Sequence, residues 1–321
     1  MSRNTLAVRV RRKAVEAAAV CGLELESVDG RALPSFTPGA HIDIHLPGGL
    51  VRQYSLCNSA GDSLSYGVAV LLESASRGGS SAVHRQVQEG DVLEISPPRN
   101  LFELESSAPA LLFAGGIGIT PIIAMAEYLA EERRNFELHY CGRSSDRMAF
   151  VERIKNSSYG HRANFHFDDG PPSQRLDVLA TLKKFSSDTH LYVCGPQGFI
   201  EAVLQVARQQ DWDEPRLHRE FFSAAAPAHQ TTGSAFSVRL ARSGKVVTVG
   251  EHETIAEALR SQHIEVPLSC EQGICGTCLT RVLEGIPDHR DSFLTDDERA
   301  KNDQLTPCCS RSNSPVLVLD L

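Results

Sequence analysis

SCEQGICGTC, residues 269–278, places Cys270, Cys275 and Cys278 in ten residues with Gly273 and Gly276 among them. A fourth cysteine, Cys308, follows 29 residues later in LTPCCSRS (305–312), completing the spacing C-x4-C-x2-C-x29-C. Three chemistries use cysteines this close together. Disulfides belong to oxidising compartments. The N-terminus MSRNTLAVRVRRKAVEAAAV is basic but lacks an apolar stretch followed by a small-residue cleavage site, so the expected compartment is the cytoplasm. Structural zinc loops use paired cysteines, and here a triplet is joined to one distant residue. The pattern C-x4-C-x2-C…C is that of a plant-type 2Fe–2S ligand set. Four thiolates must converge on two irons, and a glycine-containing loop supplies backbone N–H groups to the sulfurs. Cys270, Cys275, Cys278 and Cys308 are therefore the expected metal ligands. Cys309 is read as a bystander, and Cys21, Cys57, Cys141 and Cys194 as small buried hydrophobes.

Around that loop, FSVRLARSGKVVTV (236–249) has the pattern of a β-hairpin turning at Ser243-Gly244. TIAEALRSQ (254–262) is an amphipathic helix and PVLVLDL (315–321) a closing strand. This iron–sulfur segment is expected over 236–321, after a small-residue linker at 227–235. Before the linker, 107–226 alternates apolar runs such as ALLFAGG (110–116) with helical stretches, the first at 121–134. That is the pattern of a parallel α/β sheet. Residues 1–106 show short alternating runs between turn residues, HIDIHLPGG (41–49), VRQYSL (51–56) and LSYGVAVLLE (64–73) among them. They predict an antiparallel β-barrel. A chain of 321 residues fits two or three domains. A net charge of −8 disfavours nucleic acid as a partner. No stretch approaches the roughly 20 apolar residues of a membrane span.

Several further stretches carry chemistry. In RQYS (52–55), Arg52 and Tyr54 share one face of a strand. A guanidinium for phosphate then lies beside an aromatic for a ring; the plain alternative is an ordinary surface pair. SRGGSSAVH (76–84) offers Gly78, Gly79, Ser80 and Ser81 at a helix start, which suits an anion or is simply a turn. In AGGIGITP (114–121), Gly115, Gly116 and Gly118 would let a pyrophosphate approach a helix start, although the strict G-x-G-x-x-G fingerprint is missing.

Together with CGRSS (141–145), CGPQGF (194–199) and HREFF (218–222), these motifs resemble the phthalate dioxygenase reductase family over essentially the whole chain. That resemblance implies a flavin barrel, a nicotinamide α/β domain and a β-grasp ferredoxin domain, in that order. It implies that Arg52 binds the flavin phosphate, that Tyr54 packs on the flavin ring and that Ser55 lies near flavin N5. It places Thr120 as a hydroxyl contact, and Cys194, Gly195 and Pro196 in the second nicotinamide loop with Cys194 near the nicotinamide. Arg143 would lie at the adenine-ribose end. With Arg147 nearby NADPH stays open, but NADH is expected. Phe222 would cover the flavin, with plain core packing as the alternative. The implied catalytic residues are Ser55, Cys194 and Phe222, and the implied cofactors are FMN, NADH and a 2Fe–2S cluster. No residue set here could activate dioxygen, so the expected partner is a separate Rieske-type terminal oxygenase, met transiently. A self-contained NADH oxidase or diaphorase, and an iron–sulfur redox sensor, are the alternatives. Within DHRD (288–291), His289 is expected to make surface hydrogen bonds. TDDERAKND (295–303) is expected as a capped, solvated helix.

Overall fold

A computed structural model describes residues 5–62, 64–74, 78–105, 107–185, 188–222 and 233–321. The chain divides into two compact units, Met1–Glu220 and Phe221–Leu321. The expected boundary at 106/107 falls inside the first unit, at a residue outside those described. The expected linker is described only from residue 233.

The first unit opens with the strands Leu6–Ala17 (β1), Val20–Ser27 (β2), His41–Leu46 (β3), Leu50–Ser55 (β4) and Ser65–Leu71 (β5). The helix Gly79–Arg85 (α1) and the strand Val92–Ile95 (β6) follow. They form an antiparallel sheet in the order β4-β3-β6-β1-β2-β5. A bridge between Leu56 and Val68 joins the chain after β4 to β5, curling the sheet towards closure. Period-2 alternation sends Val8, Val10, Leu23, Leu25, Ile42, Ile44, Leu93 and Ile95 into one core. The β1–β2 hairpin was not among the stretches singled out in the sequence; the run of charge in RVRRK (9–13) masks the alternation.

The same unit continues through Ala110–Gly115 (β7), Ile119–Glu131 (α2), Phe136–Gly142 (β8), Val151–Lys155 (α3), Ala163–Phe167 (β9), Val178–Leu182 (α4), His190–Gly195 (β10) and Gln197–Gln209 (α5). Leu217–Phe221 (β11) completes the sheet β11-β10-β7-β8-β9, in which β7 to β10 pair in parallel. Every residue of β7 is buried, as a strand covered on both faces requires. Helix α2 starts two residues before the expected Pro121. A proline in the first turn loses only an N–H that has no partner within the helix.

The second unit comprises Phe236–Leu240 (β12), Val246–Val249 (β13), Ile255–Ser261 (α6), Thr280–Glu284 (β14), Pro287–Asp288 (β15), Asp296–Lys301 (α7), Gln304–Leu305 (β16), Arg311–Ser312 (β17) and Val316–Leu319 (β18). The order β13-β12-β18-β14-β16, with β18 parallel to β12 and α6 packed on the sheet, is a β-grasp. The hairpin β12–β13 turns at Ser243-Gly244 as expected. α6 and α7 each begin with a full capping box, from Thr254 with Glu257 and from Thr295 with Glu298. α7 buries no residue, as a solvated helix should. Arg311 is 1% exposed. It donates to the carbonyls of Glu253, Ser234 and Gly250 at 2.5, 3.1 and 3.0 Å and stacks on Phe236.

Candidate functional site

In the first unit, three parallel strands end in glycine at one sheet edge: Gly115 on β7, Gly142 on β8 and Gly195 on β10. Ligands of open α/β sheets bind outside the carboxyl ends of the strands. The 13-residue helices α2 and α5 start at this edge from Gly118 and Pro196, so their N–H ends meet there. The two turns interlock. A Cβ on Gly118 would lie 2.3 Å from the Cys194 carbonyl oxygen, and one on Gly195 2.9 Å from the Gly115 Cα. These glycines are thus required by backbone packing, whatever else the turn holds. Thr120 is buried and its hydroxyl donates to the Ile117 carbonyl at 3.1 Å. Arg143 and Arg147 are exposed beyond the end of β8.

Ser55 ends β4 and is buried. Its hydroxyl donates to Glu220 Oε2 at 3.5 Å. Burial pushes the Glu220 carboxyl up to about 8, with the Ser55 hydrogen bond acting weakly against it. Burial also holds the Cys194 thiol well above its ordinary value, and the charge of Glu220 adds to this. Ser55, Cys194 and Glu220 therefore form one cluster joining barrel and parallel sheet. Glu220 was missed in the sequence although HREFF contains it. An acidic residue two places before the aromatic was the available signal, but its burial was not visible there. Phe222 is half-buried just past β11.

Arg52 and Tyr54 pair with Ile44 and Ile42 of β3, on one face of the barrel wall. Arg52 runs along the start of α1: a Cβ on Gly79 would meet its Cγ at 2.6 Å. Gly78 adopts φ +89° at the N-cap. The Ser80 hydroxyl accepts from the Glu73 N–H at 3.2 Å, and Ser81 is half-buried in the first turn. Lys13 fixes the other end of α1, its ammonium donating to the carbonyls of Val83, His84 and Val87 at 3.0, 2.8 and 2.7 Å. The fold thus brings the guanidinium and the glycine-serine turn together. Ser76 and Arg77 of the same motif lie outside the described residues.

In the second unit, residues 269–278 run without regular structure between α6 and β14. Cys270, Cys275, Cys278 and Cys308 are all buried. Cys270 is within hydrogen-bond reach of Cys275 and Cys308, and Cys308 of Cys278. Those contacts push the Cys270 thiol down and the Cys308 thiol up, the response of thiols sharing one charge. The Gln272 N–H donates to Cys270 Sγ at 3.3 Å. Among the described residues, no group of three or more His, Cys, Asp or Glu is placed to hold a single metal ion. Four thiols on the plant-type spacing are the donor chemistry of a two-iron cluster rather than of zinc. Cys309 is within hydrogen-bond reach of Cys308 as well, and Thr306 Oγ1 lies 3.2 Å from its sulfur.

His289 departs from expectation. Its side chain is 9% exposed and neither ring nitrogen has a hydrogen-bond partner. Asp291, two residues on, packs against Gly273 of the cysteine loop, and His289 Nδ1 lies 3.8 Å from its carboxyl.

Among the described residues no helix is long and apolar enough to cross a membrane. The 2Fe-2S iron-sulfur cluster binding domain matches residues 238–313, and the oxidoreductase NAD-binding domain matches 112–205. The chain is 54% identical over 303 residues to a vanillate O-demethylase oxidoreductase of Pseudomonas sp. (strain HR199 / DSM 7063), covering 94% of this chain and 95% of that one. It is 37% identical over 318 residues to phthalate dioxygenase reductase of Burkholderia cepacia, covering 98% and 97%. The solved structure of a phthalate dioxygenase reductase, described as modular for electron transfer from pyridine nucleotides to [2Fe-2S], superposes with a TM-score of 0.77 at 36% identity. That superposition covers 99% of this chain and 98% of the other.

Proposed function

The chain belongs to the phthalate dioxygenase reductase family of oxidoreductases, and from that premise we propose that it takes electrons from NADH and delivers them one at a time to a separate terminal oxygenase. When bound, a flavin accepts hydride from NADH and a 2Fe–2S cluster accepts single electrons, so the pair turns a two-electron donor into one-electron deliveries. The residues divide the work. Arg52, with the turn at Gly78, Gly79, Ser80 and Ser81, would hold the flavin phosphate. Tyr54 would pack on the flavin ring. Gly115, Gly116, Gly118, Thr120, Gly195 and Pro196 would line the nicotinamide side, with Arg143 at its far end. Ser55, Cys194 and Glu220 shape the corner between the two, where a protonated Glu220 keeps negative charge away from arriving hydride. Phe222 would shield the flavin. Cys270, Cys275, Cys278 and Cys308 would hold the cluster.

The observation that carries this reading is the convergence of those four thiols in a chain whose other unit ends three parallel strands in glycine turns. FMN is proposed over FAD from the family alone. A Rieske-type oxygenase is the proposed partner, and the complex would be short-lived because the reductase must dock, deliver and leave. Transient redox encounters bury less than about 1,200 Å² and are steered by charge, so delivery should slow as salt rises. The purified protein should contain two irons and two labile sulfides per chain, a stoichiometry set by the cluster. It should release FMN on denaturation and reduce cytochrome c with NADH. An iron-free protein refutes the cluster, and recovered FAD refutes the flavin assignment. Oxygen consumption that no oxygenase component accelerates would favour a self-contained oxidase.

A further inference from the structure

The cysteine loop rests on buried groups that the proposed electron path does not use. A Cβ on Gly273 would lie 2.9 Å from Asp291 Cα and 2.4 Å from Cys309 Sγ. Asp291 and Cys309 therefore touch the back of the loop directly. The Ser292 N–H donates to the Gly273 carbonyl at 2.9 Å. A Cβ on Gly276 would come within 2.4 Å of the Phe293 ring. What shapes residues 291–294 is the Asp291 carboxylate. Its side chain is fully buried. Oδ2 accepts from the N–H groups of Phe293 and Leu294 at 3.1 and 2.7 Å, and Oδ1 is buried with no hydrogen-bond partner. The nearest side-chain nitrogens are at arm's length: Arg299 Nη2 is 3.8 Å from Oδ2 and His289 Nδ1 is 3.8 Å from Oδ1. Arg299 also donates to the Asp291 carbonyl.

A turn built only to support a loop could use a neutral residue with the same acceptor oxygen. A carboxylate adds a charge in a poorly screened place, where it acts strongly on other charges. We propose that Asp291 is a positioning residue that also sets the potential of the cluster: its oxygen folds the 291–294 turn against Gly273, and its charge disfavours the added electron. Arg299 acts with the opposite sign. One electron enters the site on reduction and leaves on delivery, and no bond or proton changes hands at Asp291. A potential held low makes the cluster a stronger donor to whatever accepts from it.

This inference rests on the cluster assignment above, and the test separates the two. Asp291→Asn keeps an acceptor for both N–H groups and removes the charge. Arg299→Gln removes the opposing charge. Each full-length variant is titrated by spectroelectrochemistry, with iron content measured alongside. Asp291→Asn should raise the cluster potential enough to shift electron partition between flavin and cluster about tenfold, which is 59 mV for one electron. Arg299→Gln should lower it, by less, since Arg299 is partly exposed. The flavin potential should stay in place in both. A purely structural role would move both variants in the same direction or move neither, and either result overturns the proposal. If Asp291→Asn loses iron, Arg299→Gln decides alone, and a potential that fails to fall overturns it. A wild-type protein without iron would instead refute the cluster assignment.

Discussion

The glycine turn that ends β7 and the cysteine loop between α6 and β14 both depend on glycines, but those glycines answer to different neighbours. Gly118 is pressed against the backbone of Cys194 and Gly195, so the nicotinamide edge is shaped by two interlocked strand ends. Gly273 and Gly276 have φ of +71° and +64° and press against side chains, Cys309 with Asp291 and the ring of Phe293. The first geometry comes from a hydrogen-bonded sheet. The second comes from side-chain packing and, when present, from a metal group that ties the sulfurs together. Preformed backbone should survive cofactor loss, whereas a loop held by side chains and metal should not.

The largest effect expected from this contrast is that of Cys275→Ser. It should abolish the cluster's visible absorption and cytochrome c reduction while leaving NADH reduction of the flavin intact. Cys309→Ser should leave iron in place. Iron loss from Cys309→Ser and not from Cys308→Ser would reverse the ligand choice. Chelation should likewise lower the calorimetric transition of the second unit and leave that of the first unmoved.

Alanine at each kind of glycine tests the comparison directly. Gly118→Ala meets backbone and should cost about 1–3 kcal/mol, as overpacking does, with a raised KM for NADH. No single neighbouring side chain can be trimmed to relieve it. Gly276→Ala meets the Phe293 ring in a left-handed conformation worth about 1–2 kcal/mol by itself. It should lower iron occupancy, and Phe293→Leu should restore part of it. Rescue at Gly118 by a side-chain truncation, or none at Gly276, would break the contrast.

Arg52→Ala should weaken flavin retention, because a charged hydrogen bond is worth about 1.5–3 kcal/mol. That is about one to two decades in affinity, read from the flavin lost on dilution. The smallest effect concerns Glu220. With its carboxyl pushed up to about 8, it is neutral at pH 7. Flavin reduction by NADH should fall a few-fold as pH rises through 8, since a carboxylate at that corner opposes hydride arrival. Glu220→Gln should flatten this profile at its low-pH level. The stability sign agrees: a carboxyl raised in the folded state loses stability as pH climbs from its ordinary value to about 8. Glu220→Gln should remove that slope in chemical denaturation.

Much of this was legible in the chain. The spacing of Cys270, Cys275, Cys278 and Cys308 named the metal chemistry, because few ligand sets share it. Period-2 and buried-run patterns separated the barrel from the parallel sheet. The charged strand β1 was harder to read, because its arginines and lysine outnumber the two valines that matter. Glu220 and Asp291 could not be assigned, and His289 was expected to make surface hydrogen bonds that it does not make, since nothing local to a polar residue says that it will be buried.

The sequence by itself determined the order of the three segments, the cysteine spacing and the glycine turns, because spacing and backbone freedom are properties of neighbouring residues. Tertiary structure alone decided that β18 returns parallel to β12, that Gly118 meets the end of β10, and that Ser55, Cys194 and Glu220 share one corner. It also decided that Asp291 lies behind the cysteine loop. These are contacts between residues that are not neighbours in the chain, as far apart as the 165 positions from Ser55 to Glu220, and burial, which gives each its chemical character, exists only once the chain has closed around them.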